Sequence, residues 1–283
     1  MKLLPSASPL EKTWRWIYIC ICVAVFVFLV GPLFIIIPLS FNAEPYFTFT
    51  NAMLTFSSEG YSTRWYEEFF ASDEWIGSIA NSFFIAICAT LIATILGVLA
   101  AVGLASRYMP YRNLVMSLLI SPMIVPLIIS AAAMFFFYSR VELAQTYLGV
   151  ILAHTTLGIP FVIITVTATL ASFDQNLIRA AYSLGASPLR SFFTVVLPLV
   201  TPGVVSGALF AFITSFDEVV VVLFISGPEQ RTVPMQMWSG LREQISPVIL
   251  AVASLLVVLS ILLLTTLELL RRRAEKQRGV TAA

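Results

Sequence analysis

Two adjacent acids, Asp217 and Glu218, lie inside the apolar stretch that runs from Phe212 to Phe224. An ionised carboxylate near the centre of a membrane helix costs about 2.5–3.5 kcal/mol on insertion scales, so each acid needs water, a cation or a protein partner. Successive helix positions point about 100° apart, so the two acids cannot share one face. Glu218 lies above Thr214, Ser215, Ala211 and Gly207, a strip of small and polar side chains, whereas Asp217 lies above Thr214, Ile213, Phe210 and Ser206. Glu218 is therefore expected to face a crowded or wetter interior, flanked by Asp217 and Thr214. The chemistry offered is loose coordination of a passing cation, because a tight site would trap it. The competing reading pairs one or both acids with a group on a neighbouring helix.

Other reactive side chains are few. His154 is the single histidine, and no second His, Cys or carboxylate stands at metal-binding spacing from it, so it reads as a hydrogen-bonded packing residue. Cys20 and Cys22 point to different helix faces and Cys88 lies in another apolar run, so there is neither a disulfide framework nor a CxxC pattern. The chain has no G-x-x-x-x-G-K-[ST] phosphate loop, no G-x-S-x-G and no H-E-x-x-H. No metal, no cofactor and no catalytic residue is expected on it. If it moves a solute uphill, the energy comes from a second subunit or an ion gradient.

The elements that carry these residues follow from composition. Of 283 residues, 59% are hydrophobic and 11% charged, too few charges for a water-soluble surface. Soluble enzymes and nucleic-acid binders are thereby excluded. A spanning helix needs about 20 mostly apolar residues. Six stretches qualify: Trp16–Leu39, Ile76–Ala105, Leu114–Tyr138, Tyr147–Ala171, Val200–Ile225 and Pro247–Leu270. The expected fold is an all-α membrane protein of six transmembrane helices, since lipid leaves no backbone group free to go unpaired. The first stretch is too long for a signal-peptide core and lacks an A-x-A-like site, so a retained anchor is expected. Gly31-Pro32, Pro38, Pro122, Pro126, Gly158-Ile159-Pro160 and Pro202-Gly203 interrupt the spans, either as ordinary membrane-helix kinks or as the walls of a pathway. No internal repeat is visible.

Basic residues set the expected orientation. Lys2, Lys12, Arg15, Arg107, Arg112, Arg179, Arg190, Arg271, Arg272, Arg273, Lys276 and Arg278 all fall on one side, leaving Arg64, Arg140, Arg231 and Arg242 on the other. The long first loop on that other side holds Glu44, Glu59, Glu67, Glu68, Asp73 and Glu74. Both termini are expected in the cytoplasm. Residues 1–15 form the amino-terminal segment, 16–270 the membrane domain and 271–283 a basic tail.

The loop 172–198 is cytoplasmic in this scheme, yet it is not simply polar. Asp174 or Ser172 can cap a short helix through Leu177, Ala180, Ala181 and Leu184 that stops at Gly185, and Ser187-Pro188 can begin another. Leu177, Ile178, Ala181 and Leu184 make an apolar stripe with no lipid to bury it, which marks a docking element. An interfacial helix on lipid headgroups is the alternative.

This loop resembles the signature of permease subunits of binding-protein-dependent ABC importers: E-A-A, three residues, G, nine residues, I-x-L-P. Arg179-Ala180-Ala181, Gly185 and Val195-Val196-Leu197-Pro198 reproduce that spacing, with Arg179 in place of Glu and Val195 in place of Ile. The resemblance extends over nearly the whole chain. Arg64-Trp-Tyr-Glu-Glu-Phe-Phe70, Asn81-Ser-Phe-Phe-Ile-Ala86 and Ser215-Phe-Asp-Glu218 look most like the spermidine/putrescine type within that family.

The resemblance implies the type I importer fold and a non-enzymatic subunit of the bacterial inner membrane. It makes Asp174, Arg179, Ala180, Ala181, Leu184, Gly185 and Pro198 the coupling element that seats in a groove of the ATPase. Arg179 reverses a charge there. ATP and Mg would bind partner ATPase subunits. A second permease, more readily a paralogue than a copy, would complete the pathway, and a periplasmic binding protein would deliver substrate. The docking face for that receptor includes Trp65, Tyr66, Glu67 and Glu68 in the first loop. Acids in the pathway suit a cationic solute such as a polyamine. Permeases for opines, amino-acid-like compounds or ferric ion are close alternatives, and a stand-alone carrier or a lipid-acting membrane enzyme are distant ones.

Overall fold

The computed structural model describes residues 9–106, 108–171, 173–174, 176–243 and 246–277. Lys2, Arg107, Ser172 and Arg278 lie outside the described residues, as do the side chains of Arg271, Arg272, Arg273 and Lys276. Among the described residues every regular element is a helix, and one isolated bridge joins Asn42 to Tyr61. Contacts divide it into two units, Met1–Ser72 with Gly240–Ala283, and Asp73–Ser239.

The first unit contains α1 (Pro9–Leu39), the short α2 (Asn51–Leu54), α3 (Arg64–Ala71) and α13 (Val248–Gln277). Trp65 and Phe69, one turn apart on α3, form its buried face. Tyr66 OH bridges Ser40 Oγ at 2.6 Å and Ser254 Oγ at 2.7 Å, which ties α3 to the end of α1 and to α13.

The second unit is built on α4 (Asp73–Ala105), α7 (Tyr147–Ala171) and α10 (Leu197–Phe216). Within lipid the tails are as apolar as leucine, so helices associate through close packing and small side chains rather than hydrophobic burial. Gly203, Gly207, Ala211 and Ser215 recur every fourth residue of α10, and all are buried. A Cβ on Gly203 would meet Thr169 Oγ1, and one on Gly207 would meet Thr165 Oγ1 and, at 2.7 Å, Val162 Cα. A Cβ on Gly158 would stand 3.0 Å from Ala211 Cβ and 3.2 Å from Ala93 Cβ, and one on Gly97 would stand 2.6 Å from Val162 Cβ. These pairings make α4 and α7 parallel and α10 antiparallel to both.

The spans expected at Ile76–Ala105 and Tyr147–Ala171 are single helices. Among the described residues four helices are long and apolar enough to cross a membrane: Leu10–Leu39, Asp73–Ala105, Tyr147–Ala171 and Pro188–Phe216. The third expected span is not one helix. It is α5 (Arg112–Ile124) followed by α6 (Leu127–Arg140), bent by 99°. Pro126 supplies no N–H, and Val125 before it is extended at φ −66° and ψ 136°. Counted as one span, the pair makes a fifth, and the described side chains of α13 give a shorter apolar stretch, Val248–Leu262.

The loop after α7 folds into α8 (Asn176–Ser183), α9 (Pro188–Ser191) and a π-helical turn at Phe192–Val196 that leads into α10. Beyond α10 come α11 (Val220–Ile225) and α12 (Val233–Glu243). The expected helix Val200–Ile225 is therefore broken, and Asp217–Val219 is the break.

Candidate functional site

The two acids sit at this break rather than within a continuous span, which corrects the expected placement. Asp217 closes α10, its N–H donating to Ile213 O at 3.0 Å, and its side chain is exposed. Glu218 is 7% exposed, and its Oε1 accepts from Val221 N at 2.8 Å, capping the first turn of α11. A short helix must satisfy its leading N–H groups, and this carboxylate does so from three residues upstream. Glu218 is thus the buried acid and Asp217 the exposed one; both stand in the break, so helix phase does not set the difference. No described basic side chain pairs with Glu218, so the neighbouring-helix ion pair is absent among the described residues. Thr214 is half-buried one turn back. Phe83, Phe212 and Phe216 cluster beside them, with Phe83 5.1 Å from Phe216 and Phe212 5.7 Å from Phe216, centroid to centroid.

His154 belongs to this neighbourhood, which its sequence context did not reveal. Its Nδ1 lies 2.7 Å from Ser215 Oγ across the α7–α10 contact, and Nε2 has no partner among the described residues. Ser215 comes from the small strip below Glu218, so the strip serves helix packing and carries one polar tie.

At the opposite end of α7 the segment leading to α10 takes the short-helix form expected. Asp174 Oδ1 accepts from Asn176 N at 2.9 Å at the start of α8. The helix stops at Gly185, whose φ of +81° suits glycine, and Ala186 N returns to Ala181 O at 3.0 Å. Ser187 Oγ accepts from Arg190 N at 3.3 Å and starts α9 with Pro188 at its first position. Leu184 is 89% exposed, Leu177, Arg179 and Ala180 are exposed, and Ala181 is half-buried. Ile178 turns inward against the core, so the apolar stripe divides between two faces. Pro198 stands at the start of α10, just after the π turn.

The first-loop residues divide as well. Trp65 is buried, its Nε1 donates to Asn42 O at 2.7 Å, and Arg64 covers the ring at 4.0 Å. Tyr66 is held by its two serine contacts. Trp65 is therefore built into the fold of the first unit rather than presented on an outer face, and Tyr66, half-buried, is anchored by the hydrogen bonds at its polar tip. Glu67 and Glu68 are exposed. Sequence reasoning also missed how the loop after α11 is held. Asn81 Nδ2 donates to Glu229 O at 2.7 Å and Arg231 O at 3.0 Å, while Tyr147 OH donates to Asn81 Oδ1 at 2.9 Å. A polar Asn near the start of an otherwise apolar span was the available signal. Among the described residues no group of three metal-ligating side chains forms a metal site.

Comparison with known proteins bears on this geometry. The family described as binding-protein-dependent transport system inner membrane component matches residues 93–276. The chain is 32% identical over 242 residues to the spermidine/putrescine transport system permease protein PotC of Haemophilus influenzae, covering 86% of this chain and 91% of that protein. It is 33% identical over 258 residues to the putrescine transport system permease protein PotI of Escherichia coli, covering 88% and 89%. Among solved structures, a chain of a bacterial ABC transporter involved in the import of the acidic polysaccharide alginate superposes with a TM-score of 0.73 at 14% identity, over 94% of this chain and 99% of that one. At that identity the likeness concerns the fold alone.

Proposed function

Because this chain belongs to the family of binding-protein-dependent transport system inner membrane components, we propose that it forms half of the pathway by which an ATP-driven importer carries a polyamine of the spermidine/putrescine class. The observation that carries the reading is Glu218: a buried carboxylate with no described cationic partner, at the one place where the α10–α11 backbone opens. The carboxylate caps α11 and would offer its charge to an ammonium group. The aromatic faces of Phe83, Phe212 and Phe216 would favour a cation in the same place. The names of the relatives above support the polyamine class.

In this reading a second permease faces the chain and completes the pathway. An ATPase pair docks on the exposed side of α8 around Leu177, Ala180 and Leu184, and a periplasmic binding protein delivers the solute. Both termini and the segment 172–198 lie in the cytoplasm. Closure of the ATPases pushes on Asp174–Pro198, and the π turn and α10 pass the displacement to the break at Asp217–Val219.

The test assembles the permease pair, ATPases and binding protein and measures ATPase stimulation against a panel of solutes. Spermidine or putrescine is expected to stimulate, and ornithine, opines and ferric ion are not. Stimulation confined to an anionic or neutral solute would overturn the polyamine assignment.

A further inference from the structure

A partly open cavity of about 760 Å³ lies between α8 and the ends of α4 and α7, all within the second unit. Its rear wall includes Val102 and Leu170, in the last turns of two spanning helices, together with Phe173 and Val196. Its rim carries Arg179, Tyr182, Tyr108 and Ser106. The volume falls in the range of small-molecule sites, roughly 300–1,000 Å³. We infer that this cavity is a binding site for an anionic phospholipid of the cytoplasmic leaflet, with the phosphate on Arg179 and an acyl chain along Val102 and Leu170.

Three observations carry this. The Arg179 guanidinium meets no acidic side chain among the described residues, and Asp174, five positions earlier, engages Asn176 N through Oδ1. The guanidinium's planar donors suit a phosphate, and phenol and serine hydroxyls on the same rim add neutral donors. Arg179 is also the position at which the loop departs from the E-A-A pattern, and a carboxylate there would repel an anion.

The second observation is the phase of α8. Ile178, Arg179 and Tyr182 line the cavity, whereas the exposed Leu177 and Leu184 lie on the opposite side at about 100° per residue. The face proposed for the ATPase and the face on the cavity are therefore separate. The third is the wall itself. It continues into the apolar spans, where a lipid tail is at home and a water-soluble partner is not. Basic pockets between membrane helices at the cytoplasmic surface are suited to anionic headgroups for these reasons. The inference rests on the proposed function only for which side of the membrane this end occupies.

The experiment uses the assembled, delipidated complex in detergent and reads bound lipid by native mass spectrometry, so it needs no transport. Dioleoylphosphatidylglycerol is expected to be retained about tenfold more tightly than dioleoylphosphatidylcholine, which has the same phosphate but neutralises it with its own choline cation. The preference should persist in Arg179→Lys and vanish in Arg179→Glu. Arg179→Gln, a change that removes no buried contact, should also lose it even if the charge reversal fails to assemble. Arg190→Gln, outside the cavity on α9, should behave as wild type. Equal loss with Arg190→Gln would reveal diffuse surface attraction and overturn the site. Displacement by inorganic phosphate at equal concentration would assign it to free anions and overturn it too. A preference seen in the permease pair but lost once the ATPases bind would give the cavity to the ATPase, and the lipid site would fall with it.

Discussion

His154 Nδ1 and Ser215 Oγ stand 2.7 Å apart in a contact almost closed to solvent, with His154 1% and Ser215 5% exposed. The pair joins α7 to the last turn of α10, directly before the break that carries Asp217 and Glu218. Removing one partner leaves the other buried and unsatisfied, at a cost of about 1–3 kcal/mol. Ser215→Ala should therefore lower the unfolding midpoint of the detergent-solubilised complex. Ser215→Thr, which keeps the hydroxyl, should lower it less. Equal midpoints for wild type and Ser215→Ala would show that the tie contributes nothing to stability.

Glu218→Gln separates charge from structure. The amide oxygen can still accept from Val221 N, so the α11 cap survives while the negative charge is lost. Solute-dependent uptake should fall roughly tenfold, the loss of one modest charge contact, with assembly unchanged on size exclusion. Asp217→Asn, at the exposed acid, should change uptake by less than about twofold. Reversal of that order would transfer the role to Asp217.

Gly207→Ala tests the packing of α10 on α7. Its new Cβ would collide with Thr165 Oγ1 and the Val162 backbone, and overpacking of this kind costs about 1–3 kcal/mol. Gly103→Ala on α4 is the control, since nothing stands within 4 Å of its Cβ position. Expression and thermal midpoint should drop for the first and hold for the second.

Gly185 closes α8 in the left-handed region at φ +81°, with open space around its Cβ position. A side chain there costs about 1–2 kcal/mol in backbone strain alone. Gly185→Val should shift α8 and reduce stimulation of the ATPase by the loaded binding protein, whereas Gly185→Asn, which tolerates this conformation, should keep most of it. Full stimulation in Gly185→Val would separate α8 from coupling.

Long apolar runs made the helical class legible, and α4 and α7 begin and end within a few residues of expectation because lipid demands continuous apolar helix. The α8 turn was equally legible, since Asp174, Gly185 and Ser187-Pro188 each carry a local conformational signal. The break at Asp217–Val219 was not. No Pro or Gly punctuates it, and a capping carboxylate looks like any other acid until the helix beyond it is seen to restart. Pro126 signalled a kink, but neither its 99° amplitude nor the π turn at Phe192–Val196 follows from local composition. Trp65 and Tyr66 read as surface aromatics because their partners Asn42, Ser40 and Ser254 lie far away in sequence. His154 and Ser215, 61 residues apart, were invisible as a pair for the same reason.

In the proposed arrangement this chain supplies a pathway and draws its power through α8 from a separate ATPase. The direct measurement is accumulation of labelled spermidine in proteoliposomes holding the permease pair, with ATP and the loaded binding protein on their proper sides, with and without the ATPase subunits. Accumulation against a gradient is expected only when the ATPases are present. Uphill transport by the permeases without them would refute that arrangement.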